Sequence, residues 1–478
     1  MVKDLHHLLS EESKGRKPSP LKSAFKYYGQ DDLVFLGGGL PMSDYFPWEK
    51  IVAYSPAPPF TGAAGIAEKP SETGKSTVTE LYKEQVEKFD VPLARSLQYG
   101  YTAGQPELLD FLKKHTEIIH HPPYPEWDTI VSIGNTESWD STLRTFCNPG
   151  DTILVEEYTF SSAIETARAL SVNFAPVHMD DKGLIPEELE KLLKNWDSSV
   201  KPFPKLLYSI STGQNPTGSS LSNERRKQIY DIACKYDFVI IEDEPYYFLQ
   251  MGEYNKNVEA KDIPTPTHEE FLNSLVKSFL SMDVEGRVVR LDSCSKVLAP
   301  GTRLGWIVAQ KDLLERYVRL HEVSIQTSSG FTQSLIAGLL GRWGQDGYID
   351  WLIGLRKEYT IKRDFTTRCL EKYMPSLVKY DPPVAGMFFT VIIDAAKHPE
   401  FATKYDSDPI KVEDAVYHRA LKAGCLMIPG SWFRSPNFEG SSSTFFFRGT
   451  YAAVDLKQLD IGLERFGKAI KEEFGVTN

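Results

Sequence analysis

Between residues 129 and 292, short apolar runs alternate with stretches whose apolar positions recur at helical spacing. Residues 129–133, 152–156, 205–210, 238–242 and 287–291 read as strands in which Val, Ile and Leu dominate. Between them, 222–236 carries Ile229, Ile232, Ala233 and Tyr236 on one helical stripe. Apolar strands separated by helices predict an α/β fold, with a mainly parallel central sheet covered on both faces. Two segments break the rhythm: 55–77, rich in Pro, Gly, Ala, Ser and Thr, and 252–267, polar and Pro-containing, which reads as a surface insertion. Beyond Trp343 the pattern changes. A long helix over 348–373 leads into strands near 386–393 and 444–448, which predicts a smaller α+β domain. The expected division is 1–90 as an amino-terminal segment and part of the small domain, 91–343 as the large domain, and 344–478 as the carboxy-terminal small domain.

A chain of 478 residues is too long for one compact core, in keeping with two domains. Its composition, 41% apolar and 25% charged, is that of a globular protein. The net charge of −11, with no basic arm, argues against nucleic-acid partners. No apolar run reaches the roughly 18 residues of a membrane helix. The start, MVKDLHHLLSEESKGRK, has neither the apolar stretch of a secretory signal nor the acid-poor character of a transit peptide. Five scattered cysteines lack zinc-ligand spacing and suit a reducing compartment, so a cytoplasmic protein without a bound metal is expected.

Chemistry-bearing residues cluster just after the predicted strands. Strand 287–291 runs into Ser293-Cys294-Ser295-Lys296, with Arg303 seven positions past the lysine. The carboxyl ends of strands are where α/β sheets hold ligands. Two hydroxyls, an amine and a guanidinium there suit a small anion with a reactive carbonyl, such as pyridoxal 5′-phosphate. Gly134-Asn135-Thr136 opens a helix expected over 138–146, either as a phosphate seat or as a plain cap. Phe160 follows strand 152–156 and could stack on a ring or simply be core. Ser211 to Gly218 forms a fixed loop in which Asn215 is an amide donor able to face a phenolate oxygen. Strand 238–242 delivers Asp243, Glu244 and Tyr246; Asp243 is suited to hold a proton on a pyridine nitrogen.

In this order these residues resemble the fold type I pyridoxal-phosphate-dependent aminotransferases. The resemblance spans nearly the whole chain and is closest to the fungal aromatic-amino-acid/2-aminoadipate aminotransferases, relatives of kynurenine aminotransferase. It rests on FLGGGLPMSDYFP, LQYGYTAGQPEL, STGQNPTG, IEDEPYYFLQ, DSCSKVLAPGTRLGW, GMFF, PGSWF and FFFRGTYA. The resemblance implies a Schiff-base role for Lys296 and a pyridinium partner in Asp243. It implies that Asn215 and Tyr246 bond the ring hydroxyl oxygen, and that Ser293, Ser295, Arg303, Asn135 and Thr136 hold the phosphate, with Tyr99 reaching in from a second subunit of a homodimer. Phe160 matches the stacking position, Arg448 the grip on the substrate α-carboxylate, and Gly39 a backbone position near it. The implied reaction is a ping-pong transfer of an amino group from aromatic amino acids or 2-aminoadipate to a 2-oxo acid; a decarboxylase or lyase on the same scaffold is the alternative. Two positions depart from the pattern: Gly-Asn-Thr stands where Gly-Ser-Gln is usual, and Phe160 stands for a tyrosine, with Tyr158 nearby. Lys22 and Lys26 are candidate cations for a distal carboxylate, and Phe25, Tyr27, Tyr28, Tyr45 and Phe46 are candidate entrance aromatics.

Overall fold

The computed structural model describes residues 2–20, 27, 32–34, 36–58, 60, 76–438, 440 and 442–477. Ahead of the central sheet in the chain, β1 (Lys50–Pro56) and β2 (Ser76–Tyr82) form an antiparallel pair whose Leu81 is fully buried. The central sheet comprises β3 (Trp127–Ser132), β4 (Thr152–Glu156), β5 (Asn173–Val177), β6 (Leu206–Ser209), β7 (Val239–Asp243), β8 (Val288–Ser293) and β9 (Gly305–Gln310). Its spatial order is β3-β9-β8-β7-β6-β4-β5. The neighbours from β8 through β5 pair in parallel; β9 alone runs antiparallel to both strands it touches.

Alternate strand residues feed two cores. Ile153, Val155, Ile241 and Val289 join one apolar cluster, and Leu154, Ile240 and Val288 join another across the sheet. Covering both faces explains why these strands carry near-continuous apolar runs. The geometry also throws every parallel strand's carboxyl end to one edge, where the following loops meet. Gly305 makes that meeting possible, because a Cβ there would sit 2.8 Å from Ser132 Oγ and 2.9 Å from Gly134 Cα.

The long helix α1 (Gly330–Tyr373) begins earlier than the sequence predicts and is broken at Gly344 (φ 66°), beside the expected boundary at residue 344. Past it lies a four-stranded antiparallel sheet of order β10-β11-β13-β12, made by β10 (Val378–Lys379), β11 (Phe388–Asp394), β12 (Ile428–Pro429) and β13 (Thr444–Thr450). Backbone hydrogen bonds dock it on the large sheet's loops: Met251 N–H donates to Val384 O (2.7 Å) and Gly386 N–H to Leu249 O (2.9 Å). Gly213 and Gly386 pack backbone to backbone, and a Cβ on Gly213 would lie 2.5 Å from Gly386 Cα. Small-sheet residues thereby reach the strand-end loops. Among the described residues no helix is long and apolar enough to cross a membrane.

Candidate active site

The loops after β3, β4, β6, β7 and β8 enclose a cavity of about 270 Å³. Its wall contains Lys296, Asp243, Asn215, Arg303 and Tyr246, together with Asn135, Thr136, Phe160, Ser293 and Ser295. Ten of the residues singled out in the sequence thus share one space, although they come from five separate loops.

Asp243 sits at its floor, at the end of the fully buried strand β7. Tyr208 O–H donates to its Oδ2 and Asn135 Nδ2 to its Oδ1, each at 2.6 Å. Burial pushes the Asp243 carboxyl above its usual range, against these two hydrogen bonds. A cationic nitrogen placed against it would shift the balance back to the anion. The flanking acids have a different task. Strand alternation turns Glu242 and Glu244 away from Asp243, into a buried ionic cluster. Arg226 Nη1 lies 3.2 Å from Glu242 and 3.3 Å from Glu244, and Arg290 bridges Glu242 (3.1 Å) and Asp292 (2.7 Å). One acid of the three faces the cavity.

The phosphate-seat expectation for Asn135 changes in detail. The helix α2 (Asn135–Phe146) starts three residues earlier than predicted, with Gly134 (φ 99°) ahead of it. Asn135 and Thr136 therefore occupy the first turn, where backbone N–H groups lack helical partners. The Asn135 side chain is committed elsewhere, to Asp243 and to Leu291 O (3.0 Å). Its Oδ1 remains buried without a partner at the cavity wall. Arg303 lies over Gly134, which must lack a side chain: a Cβ would meet Arg303 Nη2 at 2.6 Å. Two of its N–H groups are anchored on Ile133 O (2.9 Å) and Pro300 O (3.0 Å), leaving others free to bind an anion.

Lys296 has no ion pair among the described residues, and burial, with Arg303 adding to it, pulls its amine below the ordinary lysine value. Arg448, on β13, is sandwiched between the rings of Phe388 and Phe433, each 4.5 Å from its Cζ. It donates to Asn215 Oδ1 at 2.7 Å, which leaves the Asn215 amide N–H₂ to face the cavity. Burial lowers the Arg448 guanidinium, partly offset by Tyr246. Among the described residues, no carboxylate lies within 4.0 Å of Lys296, Arg303 or Arg448. Three uncompensated cations around one aspartate fit a ligand set with a phosphate, a carboxylate and a cationic ring nitrogen.

Other expectations resolve differently. Tyr99 and Gly39 are exposed and do not line the cavity of their own chain. Tyr158 packs edge-on against Phe446 instead of entering it. Tyr27, Tyr45 and Phe46 also lie off the cavity wall; Lys22, Phe25, Lys26 and Tyr28 fall outside the described residues. Sequence reasoning missed Tyr208, Trp139 and Phe388. The Tyr208 and Trp139 rings pack tilted at 44° with centroids 4.5 Å apart, and Phe388 meets Tyr246 edge-on at 5.7 Å. Nothing in an apolar strand marks one tyrosine as functional, and only its partner Asp243 could have pointed to it.

A lysine and an aspartate at neighbouring strand ends of a mostly parallel sheet, with a small antiparallel sheet lending an arginine, define a fold type I pyridoxal-phosphate-dependent transferase. The chain belongs to the aminotransferase class I and II family, which it matches over residues 68–466. It is 60% identical to aminotransferase Aro8 of Candida albicans, whose crystal structure superposes with a TM-score of 0.94 over 100% of both chains. An aromatic amino acid aminotransferase of Schizosaccharomyces pombe is 42% identical across 99% of this chain and 98% of that protein. The rat mitochondrial kynurenine/alpha-aminoadipate aminotransferase is 33% identical across 97% and 98%. The protein is an aminotransferase.

Proposed function

We propose that this aminotransferase moves amino groups from aromatic amino acids and 2-aminoadipate to a 2-oxo acid such as 2-oxoglutarate. The observation that carries the reading is the pairing of Lys296 and Asp243 in one cavity, with Arg303 on its wall and Arg448 behind Asn215 and Phe388, and with no carboxylate among the described residues within 4.0 Å of these three cations. That donor set fits pyridoxal 5′-phosphate. Arg303, Ser293, Ser295 and the helix start at Asn135 and Thr136 hold its phosphate. Asp243, braced by Tyr208 and Asn135, would hold the proton on its ring nitrogen, Asn215 and Tyr246 would bond its hydroxyl oxygen, and Phe160 would cover the ring. When bound, the cofactor supplies an aldehyde and an electron sink for charge developing at the substrate α-carbon.

Arg448 clamps the substrate α-carboxylate with a planar fork that a lysine cannot reproduce, and its aromatic sandwich fixes the plane. Lys296 Nζ would take the α-proton and pass it to the cofactor's aldehyde carbon and not back to the α-carbon, a task helped by surroundings that disfavour its charged form. The relatives, an aromatic amino acid aminotransferase and a kynurenine/alpha-aminoadipate aminotransferase, support the substrate range. We further propose a homodimer in which Tyr99 and the segment around Gly39 complete the cavity of the neighbouring copy, working in the cytoplasm, where five unpaired cysteines stay reduced.

The test is to supply purified, cofactor-loaded protein with single amino acids and 2-oxoglutarate and identify the products. Tyrosine, phenylalanine, tryptophan and 2-aminoadipate should each give the matching 2-oxo acid and glutamate in equal amounts. Release of carbon dioxide or ammonia in their place would overturn the reading.

A further inference from the structure

A second cavity, of about 410 Å³, lies on the other side of the contact between the two domains and shares no lining residue with the first. The insertion at 252–267, which no part of the amino-transfer machinery uses, forms one of its walls through Ile263 to Pro266. The opposite walls come from α1 past its Gly344 break, and from Val384 and Ala385 at the entrance to the small domain. Most of the lining is apolar, as small-molecule sites generally are.

Its polar feature is Arg356. The guanidinium stacks on the Phe271 ring, 4.5 Å away, and donates to Ser274 Oγ at 2.7 Å. No carboxylate among the described residues lies within 4.0 Å of it, unlike Arg226, Arg290 and Arg342, which all have acid partners. Burial pulls it down to about 10, with no opposing acid. Lys357 stands beside it, its Nζ donating to Ile263 O at 3.1 Å. A half-buried cation without a counterion at the wall of an apolar cavity is costly unless a ligand supplies the charge. Glu253, also on the wall, disfavours a second acid group on that ligand.

We infer that this cavity is a binding site for an apolar monocarboxylate, an arylalkanoic or branched-chain acid, whose carboxylate is gripped by Arg356 and whose hydrocarbon body fills the space between the insertion and α1. The position matters for the reaction. Only three residues separate Tyr246, in the active site, from Gln250, in this cavity; two separate Ala385 from Phe388 in the same way. The two segments are joined by a bridge between Gln250 and Ala385. A bound acid would therefore touch the large domain, the helix and the small domain at once, and bias how the domains sit around the active site.

The experiment separates this site from the active site. 3-Phenylpropionate is titrated calorimetrically into cofactor-loaded Arg448→Ala protein, whose active-site clamp is gone. We expect one saturable site per chain. Adding Arg356→Gln should weaken it about 10- to 100-fold, the usual cost of losing a charged hydrogen bond, and Arg356→Lys should weaken it less. The uncharged 3-phenylpropanol should bind as poorly to the Arg448→Ala protein as the acid binds to the Arg356→Gln form. Absence of saturable binding in the Arg448→Ala protein would overturn the inference. Binding of equal strength in the Arg356→Gln form, or of acid and alcohol alike, would do so too. The alcohol and lysine comparisons decide the matter even if the glutamine variant folds poorly.

Discussion

Two regions of this chain that both belong to the catalytic half of the molecule are built in opposite ways. Around the cavity, the groups proposed to do the chemistry are held by partners within the same chain: Asp243 by Tyr208 and Asn135, Arg448 by Phe388, Phe433 and Asn215. The stretches around residues 36–54 and 99–101 are built the other way, with several apolar side chains turned to solvent. Leu36 is 89% exposed, Tyr45 77% and Tyr99 59%, with Met42, Tyr54 and Tyr101 exposed beside them. Single apolar residues on a surface are ordinary, but a run of this density marks a face meant to be covered. The difference fits the proposed homodimer, in which this exposed stretch would complete the cavity of the neighbouring copy.

The sharpest way to break that comparison is Lys296→Ala. Amino transfer should fall on the order of 10⁴-fold, the upper end for loss of a positioned proton carrier, measured as single-turnover rate with the cofactor loaded. A residual rate within tenfold of the unaltered enzyme would move the chemistry away from the strand ends. Arg448→Ala should cost about 2–5 kcal/mol of substrate binding, since it breaks a desolvated charge pair; unchanged KM for amino acids would remove the clamp from the account.

Glu156 sharpens the comparison from the side of stability. Burial raises its carboxyl to about 7, with hydrogen bonds from Gln214, Ser209 and Ile210 opposing. The folded protein thus keeps a proton that the unfolded chain loses above about pH 4.5. Native binds more protons than unfolded in that window, so stability falls as pH rises from 4.5 to 7 and stays lowered above it. The swing is up to about 3 kcal/mol from the size of the shift. Glu156→Gln has no proton to lose, so the gap in urea midpoint between unaltered protein and variant should shift between pH 4.5 and 7.5; a gap independent of pH contradicts the placement.

Tyr208→Phe leaves packing on Trp139 intact and removes one hydrogen bond from a buried carboxylate, which costs about 1–3 kcal/mol. It should appear as weaker cofactor retention on dialysis and slower turnover, with the urea midpoint shifted far less. Tyr99→Phe is the smallest step, about 0.5–1.5 kcal/mol in cofactor affinity from one hydrogen bond. An effect that disappears when the chains are kept monomeric would tie Tyr99 to the neighbouring copy; no effect at any concentration would detach it from the cavity.

Much of this was legible in the sequence because each catalytic group sits within a few residues of a strand that announces itself by its apolar run. Strand 152–156 was legible to the residue, and the others to within two. β5 escaped notice because Asn173-Phe-Ala-Pro-Val carries an asparagine and a proline, poor strand formers tolerated at a sheet edge. β9 was hidden by its own neighbour: Gly305-Trp306 follows the Arg303 turn so closely that it reads as part of the cofactor loop. Roles that depend on contacts across the fold were not legible. The Asn135 amide meets Asp243 from 108 positions away, and Tyr208 meets it from 35. Arg356 was equally silent, as a charged residue on a long helix reads as a solvated face.

The account rests on the amine of Lys296 as the point of attachment for pyridoxal phosphate, and borohydride reduction of the loaded enzyme tests this most directly. After proteolysis and mass spectrometry, the phosphopyridoxyl label should reside on the peptide containing Ser293, Ser295 and Lys296, at the lysine. A label on any other lysine, or a reduced protein with none, would contradict it.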